Sequence, residues 1–353
     1  MFKEIRIDTA SPKQPTSSLL LIYTGGTMGM IDNGNGSLVP FNFEHIIDHI
    51  PSLKSFDIHL TVISFDEPID SSNVNPSHWA DIGNIIHDNY SKYDGFVILH
   101  GTDTMAYTAS ALSYMLGDLS KPVILTGAQL PIAAPRTDAR ENLISALEIA
   151  SAKENGQPIV PEVCIYFDSV LLRGNRSRKV ESTHFDAFES ENYPILAEAG
   201  IMIEYNKKVI SKVPVTNELS FSDKFDQSVA LLKLFPGISQ SMVSLVLGNP
   251  EIKGVVLETF GSGNAPTTPW FTNILKNAIE KGVIILNVSQ CNGGKVLQGR
   301  YATSKHLYEI GVLSGSDITS EAAITKMMFL LAGDYSVDEL KYKITKPLCG
   351  EMT

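Results

Sequence analysis

An α/β fold built on parallel sheet and divided over two domains is what the sequence predicts, on three observations. Short apolar, β-branched runs bounded by Gly, Pro or Asp alternate with longer segments of helical period, the pattern of βαβ units. At 353 residues the chain exceeds one comfortable core, since domains hold roughly 100 to 200 residues. Between Glu204 and Ser228 the pattern lapses into EYNKKVISKVPVTNELSFSDKFDQS, polar and charged with no sustained period, as connections between domains read. The expected organisation is one domain over residues 1–203, a linker over 204–228 and a second domain over 229–353.

The strands expected in the first domain are Ser18–Tyr23, His59–Phe65, Gly95–Leu99, Pro122–Leu125 and Val163–Phe167, with Gly254–Glu258 and Val283–Val288 in the second. Helical period covers Phe43–Ile50, Pro76–Asn89, Met105–Leu116, Ala139–Ala152, Thr268–Lys281 and Ser320–Leu331, most opening near Asp, Asn, Ser, Thr or Pro. Parallel strands joined by crossing helices bring ligands to the carboxyl ends of the strands, so the chemistry is sought there.

Composition narrows the classes. With 43% hydrophobic and 19% charged residues the chain is an ordinary globular protein, and no internal repeat is visible. A net charge of -11 without a long Lys/Arg cluster argues against nucleic acid and for a small polar substrate. Three scattered cysteines, Cys164, Cys291 and Cys349, form no CxxC pair, which argues against a disulfide framework or a zinc site. His45 and His49 have i, i+4 spacing but lack the Glu of H-E-x-x-H, so neither metal nor another cofactor is expected. The polar N-terminus, the short run Leu19–Tyr23 and the lack of a stretch near ~20 apolar residues predict a cytoplasmic protein off the membrane.

Two strand ends carry hydroxyls. The first strand runs into Tyr23-Thr24-Gly25-Gly26-Thr27-Met28-Gly29-Met30, where glycines permit a sharp turn and Thr24 offers an oxygen. A phosphate cradle is the competing reading, but neither G-x-G-x-x-G nor G-x-x-x-x-G-K-[ST] is present. The third strand ends in His100-Gly101-Thr102-Asp103-Thr104, where Asp103 or Thr104 would by default cap the next helix. A hydroxyl nucleophile needs a base and an orienting group. His100 is one candidate base, though its place at the end of an apolar strand suits a core histidine. Lys179, in Arg173-Gly174-Asn175-Arg176-Ser177-Arg178-Lys179, is the other, in a stretch that on physics alone reads as a solvated loop.

With YTGGTMGM, DSSNVNPSHW, DGFVILHGTDTMAYTASALSYML, TGAQLP, LLRGNRSRKV and FGSGNAP in this order, the chain resembles the bacterial type I, cytosolic L-asparaginases from Leu19 to Glu351. The resemblance implies a larger N-terminal and a smaller C-terminal α/β domain, and a homodimer or homotetramer with sites formed between subunits. It implies hydrolysis of L-asparagine to L-aspartate and ammonia through an aspartyl-threonine ester. Thr24 matches the nucleophile; Thr102, Asp103 and Lys179 match the Thr-Asp-Lys group, Asp103 holding the substrate ammonium. Asp70, Ser71 and Ser72 match the loop that grips the amino-acid head group, with Asn75 left to cap the helix at Pro76. Backbone N–H groups near Thr102, with Ala128, mark the place for an oxyanion hole.

One departure stands out. Many bacterial relatives carry a tyrosine after TGGT in a G-Y-I-P context, where this chain has Gly36-Ser37-Leu38-Val39-Pro40. Leu38 cannot exchange a proton, and Tyr301, in Gly299-Arg300-Tyr301-Ala302-Thr303, is the candidate replacement, against the plainer reading of a packed tyrosine. Met28–Pro40, rich in Gly and Asn, has the composition of a mobile lid. A glutaminase or dual amidase, an amidotransferase subunit and a non-catalytic amino-acid binder are the alternatives.

Overall fold

The runs Leu19–Ile22, Phe96–Leu99 and Val123–Leu125 are apolar and fully buried at every position, which only the middle of a sheet covered on both faces allows. The structure is a computed structural model that describes residues 2–7, 15–32, 38–40, 50–51, 53, 56–214, 218–298 and 302–353. The chain divides into a unit over Met1–Asp223 and a unit over Lys224–Thr353.

The first unit opens with β1 (Phe2–Ile7), β2 (Ser17–Gly25), the short hairpin β3 (Met30–Asp32) and β4 (Leu38–Pro40), and the long β5 (Ile58–Ile69). There follow α1 (Pro76–Asn89), β6 (Gly95–Leu99), α2 (Met105–Met115), β7 (Val123–Thr126), α3 (Ala139–Ser151) and β8 (Val163–Phe167). β9 (Val170–Arg173), β10 (Ala197–Ala199) and β11 (Ile203–Tyr205) complete a nine-stranded sheet of order β1-β5-β2-β6-β7-β8-β9-β10-β11. The central strands β5, β2, β6, β7 and β8 are parallel; β1 and the strands from β9 onward join antiparallel.

Local chemistry explains the boundaries. Asn75 caps α1 by accepting from Ser77 N–H, His78 closes a capping box, and Pro76 occupies the first turn, where a missing N–H costs nothing. Ser220–Phe221 pairs with Leu116–Gly117, so the first unit continues past β11.

The second unit holds β12 (Val229–Lys233), α4 (Gln240–Leu247), β13 (Gly254–Thr259), α5 (Pro269–Glu280), β14 (Ile284–Ser289), α6 (Ala302–Glu309), β15 (Leu313–Ser314), α7 (Ser320–Leu331) and α8 (Val337–Ile344). Its four strands lie in sequence order and are all parallel. The expected α/β class, a larger unit with mainly parallel sheet and a smaller α/β unit, is thus what the chain forms.

Some elements escape the sequence pattern. β1 lies in a stretch read as merely polar, because half of FKEIRI is charged, the adjacent Lys3 and Glu4 break any alternation, and the strand pairs only at the sheet edge. β9 to β11 and β12, α4, α6 and α8 are short or polar enough to fall below the periodicity signal. The helix expected over 43–50 lies, apart from Ile50, outside the described residues. No helix among the described residues is long and apolar enough to cross a membrane.

Two buried ion pairs pin the segments that strands do not. Arg173 meets Glu162 at 2.6 Å, donates to Val209 O and Ser211 Oγ at 3.0 and 3.1 Å, and stacks 4.2 Å over the Tyr193 ring. In the second unit Lys326 meets Glu351 at 2.6 Å, both side chains with no exposure. Lys326 also donates to Ile344 O and Lys346 O, while Glu351 accepts from the N–H groups of Leu348 and Cys349. Removing one member strands a buried charge, so Lys326→Met is expected to destabilise the second unit by about 3–5 kcal/mol. Denaturant unfolding checks this, and the double variant Lys326→Met/Glu351→Leu should recover part of the loss.

Candidate active site

The end of β2 is shaped by two glycines in the left-handed region, Gly25 at φ 135° and Gly26 at φ 86°. A Cβ on Gly25 would lie 2.3 Å from Ile69 O, and one on Gly26 would lie 2.6 Å from Gly101 Cα. Only glycine lets this turn press on the end of β5 and on the turn after β6 at once. Thr24, buried at 2% exposure between them, donates its hydroxyl to Leu99 O at 2.9 Å. Tyr23 turns away and donates to Gly29 O at 3.1 Å, its burial holding the phenol pKa far above the ordinary range.

The end of β6 supplies the second cluster. Thr102–Thr104 forms a single 3-10 turn leading into α2, and neither Asp103 nor Thr104 caps that helix with its side chain. The short strand Arg178–Lys179, paired with Phe188–Glu189, delivers the ammonium of Lys179 to this turn. Lys179 Nζ donates to Thr102 Oγ1 and to Asp103 Oδ1, each at 2.7 Å. Asp103 is 63% exposed and Lys179 17%, so the pair is open to solvent on the carboxylate side. Thr102 in turn donates to Gln129 Oε1 at 3.4 Å, a long contact.

The structure therefore brings Thr102, Asp103 and Lys179 into direct contact and sets Thr24 on the adjacent turn, with its hydroxyl committed to the main chain. Chemically this is a hydroxyl held between an ammonium and an amide carbonyl, beside a second hydroxyl at a strand's carboxyl end.

Ser71–Asn73 forms a 3-10 turn after β5, with Asp70 as its N-cap. Asp70 Oδ1 accepts from Ser72 N–H and Ser72 O–H, both at 2.9 Å, and these bonds hold the exposed carboxyl below its usual pKa. Ser71 is buried against Gly101, and its carbonyl accepts from Thr104 Oγ1 at 2.7 Å. The Asp70 turn and the Thr102 turn are thus joined. Ala128, 3% exposed, follows Gly127, whose carbonyl accepts from Asn142 Nδ2 at 3.0 Å. Asp138 takes the N–H groups of Gln129 and Leu130, while the Ala128 N–H has no partner among the described residues.

His100 is a core histidine. It is 2% exposed, with Nδ1 2.7 Å from Gly101 O and Nε2 2.9 Å from Thr108 Oγ1. A carbonyl only accepts, so Nδ1 carries the proton. The Thr108 hydroxyl, which receives the Trp79 indole N–H at 3.1 Å, donates to Nε2. Every polar atom of the neutral ring is satisfied, and none points to Thr24. Tyr301, the tip of the expected lid at 33–37 and the metal-spaced His45 and His49 lie outside the described residues. Of Leu38 only the backbone is described, in β4 paired with β3. Gln129 and Thr104 were missed by sequence reasoning, although both lie inside motifs already singled out, TGAQLP and HGTDT.

Burial depresses the His100 pKa from 6.5 to about 4, desolvation outweighing the bond to Gly101 O, with nearby His78 adding to the fall. The unfolded chain binds this proton first, so folding stability should fall as pH drops from about 6.5 to about 4. The slope for one proton is at most about 1.4 kcal/mol per pH unit. Urea unfolding across this range checks it, and His100→Gln should flatten that part of the profile.

Residues 18–211 match the family model described as Asparaginase, N-terminal, and residues 228–342 match Glutaminase/Asparaginase C-terminal domain. L-asparaginase 1 of Escherichia coli (strain K12) is 39% identical, the match covering 95% of this chain and 98% of that protein. The 60 kDa lysophospholipase of Mus musculus is 41% identical over 96% of this chain, which spans only 63% of that protein's length. The crystal structure of L-asparaginase I from Vibrio cholerae superposes with a TM-score of 0.85 at 41% identity, covering 96% of this chain and 99% of that one. With matching models in both halves and a site of hydroxyls, lysine and aspartate at the strand ends, the chain belongs to the asparaginase family.

Proposed function

We propose that the chain hydrolyses the side-chain amide of L-asparagine to L-aspartate and ammonia, with Thr24 as nucleophile. The observation that carries this reading is the contact of Lys179 Nζ with both Thr102 Oγ1 and Asp103 Oδ1, on the turn against which the Thr24 turn packs.

Thr24 Oγ attacks the side-chain carbonyl carbon, and the proton it loses passes through Thr102 and Lys179 to the amide nitrogen. The C–N bond breaks, ammonia leaves, and the substrate acyl group remains on Thr24 as an ester. Water, activated by the same relay, attacks the ester, and aspartate departs as the Thr24 hydroxyl regains its proton. The negative charge on the carbonyl oxygen is met by backbone donors, for which the Ala128 N–H, without a partner among the described residues, is suited. Asp103 keeps Oδ2 free of Lys179 for the substrate ammonium.

Ser72 spends both its donors on Asp70, while the Ser71 hydroxyl makes no hydrogen bond among the described residues, so Ser71 is the side-chain donor left for the substrate's α-carboxylate. Asp70, whose carboxyl those bonds hold below its usual pKa, supplies a negative charge on the same turn as Ser71. The resemblance that motivates these roles also motivates a homodimer or homotetramer, a cytoplasmic location and Tyr301 as the phenol that stands in for Leu38.

Ammonia release from L-asparagine and L-glutamine checks the reading. The wild type is expected to release ammonia from asparagine, and Thr24→Ala and Lys179→Met to lose at least about a thousandfold in kcat. One methylene separates the two substrates, worth about 1–3 kcal/mol in a pocket. Comparable rates on glutamine would make the chain a dual amidase, and wild-type silence on both would overturn hydrolysis.

A further inference from the structure

We propose that Gln129 is a positioning residue that fixes the hydroxyl direction of Thr102, an inference that rests on the relay role given to Thr102 above. Gln129 is held at two points. Its N–H donates to Asp138 Oδ2 at 2.9 Å, beside the Leu130 N–H on Asp138 Oδ1 at 3.1 Å, which anchors the main chain at the start of α3. Its side-chain Nε2 donates to His184 O at 2.9 Å, and its Oε1 faces Thr102 Oγ1 at 3.4 Å.

Donor and acceptor rules then leave one arrangement. The His184 carbonyl can only accept, so the amide NH2 must face it and Oε1 must face Thr102. An amide oxygen also only accepts, so Thr102 must give its own proton to Gln129. Lys179 carries donors and no acceptor when charged, so it takes a lone pair of Thr102. The donors run in one direction, from Lys179 to Thr102 to Gln129, and the Thr102 rotor is no longer free among its staggered positions.

One lone pair of the Thr102 oxygen stays open for a proton arriving from a nucleophile or from water. The 3.4 Å contact with Gln129 is long enough to be given up when Thr102 must pass its own proton on. A shorter bond would fix the rotor more firmly but resist that transfer. Gln129 touches none of the residues assigned to hold the substrate head group, so its effect belongs in turnover rather than in binding.

The experiment compares Gln129→Met, which keeps length and removes both amide functions, with Gln129→Asn, which keeps the amide but cannot span both partners. Each is expected to lower kcat for asparagine about three- to tenfold, the worth of one neutral hydrogen bond, with KM within about twofold. The decisive readout is a double-mutant cycle under single-turnover conditions. In a Thr102→Val background, where no hydroxyl remains to be directed, Gln129→Met should have no further effect. An unchanged kcat in both single variants overturns the proposal, as does a fall of equal size with and without the Thr102 hydroxyl. If Gln129→Met fails to fold, Gln129→Asn runs the same cycle. The hydrolytic reading fails separately, by wild-type silence on both amides, and the nucleophile assignment by activity surviving in Thr24→Ala.

Discussion

The architecture turns on the near-contact of two backbone turns at the carboxyl ends of β2 and β6. The connection from β2 leads to β5 on one side, and that from β6 leads to β7 on the other, so the strand order reverses between them. Adjacent loops that diverge leave a crevice at the strand ends. Here the crevice is closed at its base by Gly26 against Gly101 and flanked by Gly25 against Ile69, so three turns, after β2, β5 and β6, meet over a few ångströms. Thr24, Ser71 and Thr102 each lie on one of these turns, which makes their proximity a property of the sheet rather than of long, adjustable side chains.

Electrostatics divides the polar groups of the first unit into those that hold and those that remain available. Arg173 and Glu162 are both 7% exposed and bonded to each other and to Ser211, and this pair fastens the segment through Ser211 to β9. Lys179 and Asp103 have the same nominal chemistry, yet Asp103 is 63% exposed and its carboxylate makes one bond among the described residues, where a carboxylate can make about four. His100 belongs with the first group. The run from the Trp79 indole through Thr108 to His100 and then Gly101 O spans α1, α2 and the end of β6, orienting the peptide that precedes Thr102. A neutral, saturated imidazole does this without placing a second cation near Lys179.

Most of this was legible where the local pattern and the tertiary role coincide. The apolar runs of β2, β6 and β7 are strands because they are buried on both faces, and burial is what the pattern encodes. The glycines of the first turn were legible as a turn, but the neighbours that demand them, Ile69 and Gly101, are far away in sequence. Lys179 sits in a basic stretch that composition alone assigns to solvent; the short pairing of Arg178–Lys179 with Phe188–Glu189 turns it inward, a contact with no periodic signature. Gln129 was hidden for a related reason. Its partners, Thr102 and His184, come from separate loops, and a single amide between two loops carries no pattern. β1 pairs only at the sheet edge, and the strands beyond β8 run for just three or four residues, too few to set a period.

The resting state of Thr24 follows from the same geometry. Its proton points at Leu99 O, an acceptor that cannot remove it, so in the proposed role the hydroxyl is idle until it turns to another acceptor. Both turns limit how that can happen. The bonds of Leu99 in the sheet fix the carbonyl, and the left-handed glycines fix the Thr24 backbone, leaving rotation of the side chain as the free variable. Three residues downstream the chain forms the 3-10 turn Thr27–Gly29 and then the β3–β4 hairpin, and Tyr23 is bonded to Gly29 O at the root of that hairpin. The residue before Thr24 is therefore tied to the root of the hairpin that follows it, and Gly26 just beyond packs on Gly101, so the Thr24 main chain is held from both sides while its side chain can still rotate.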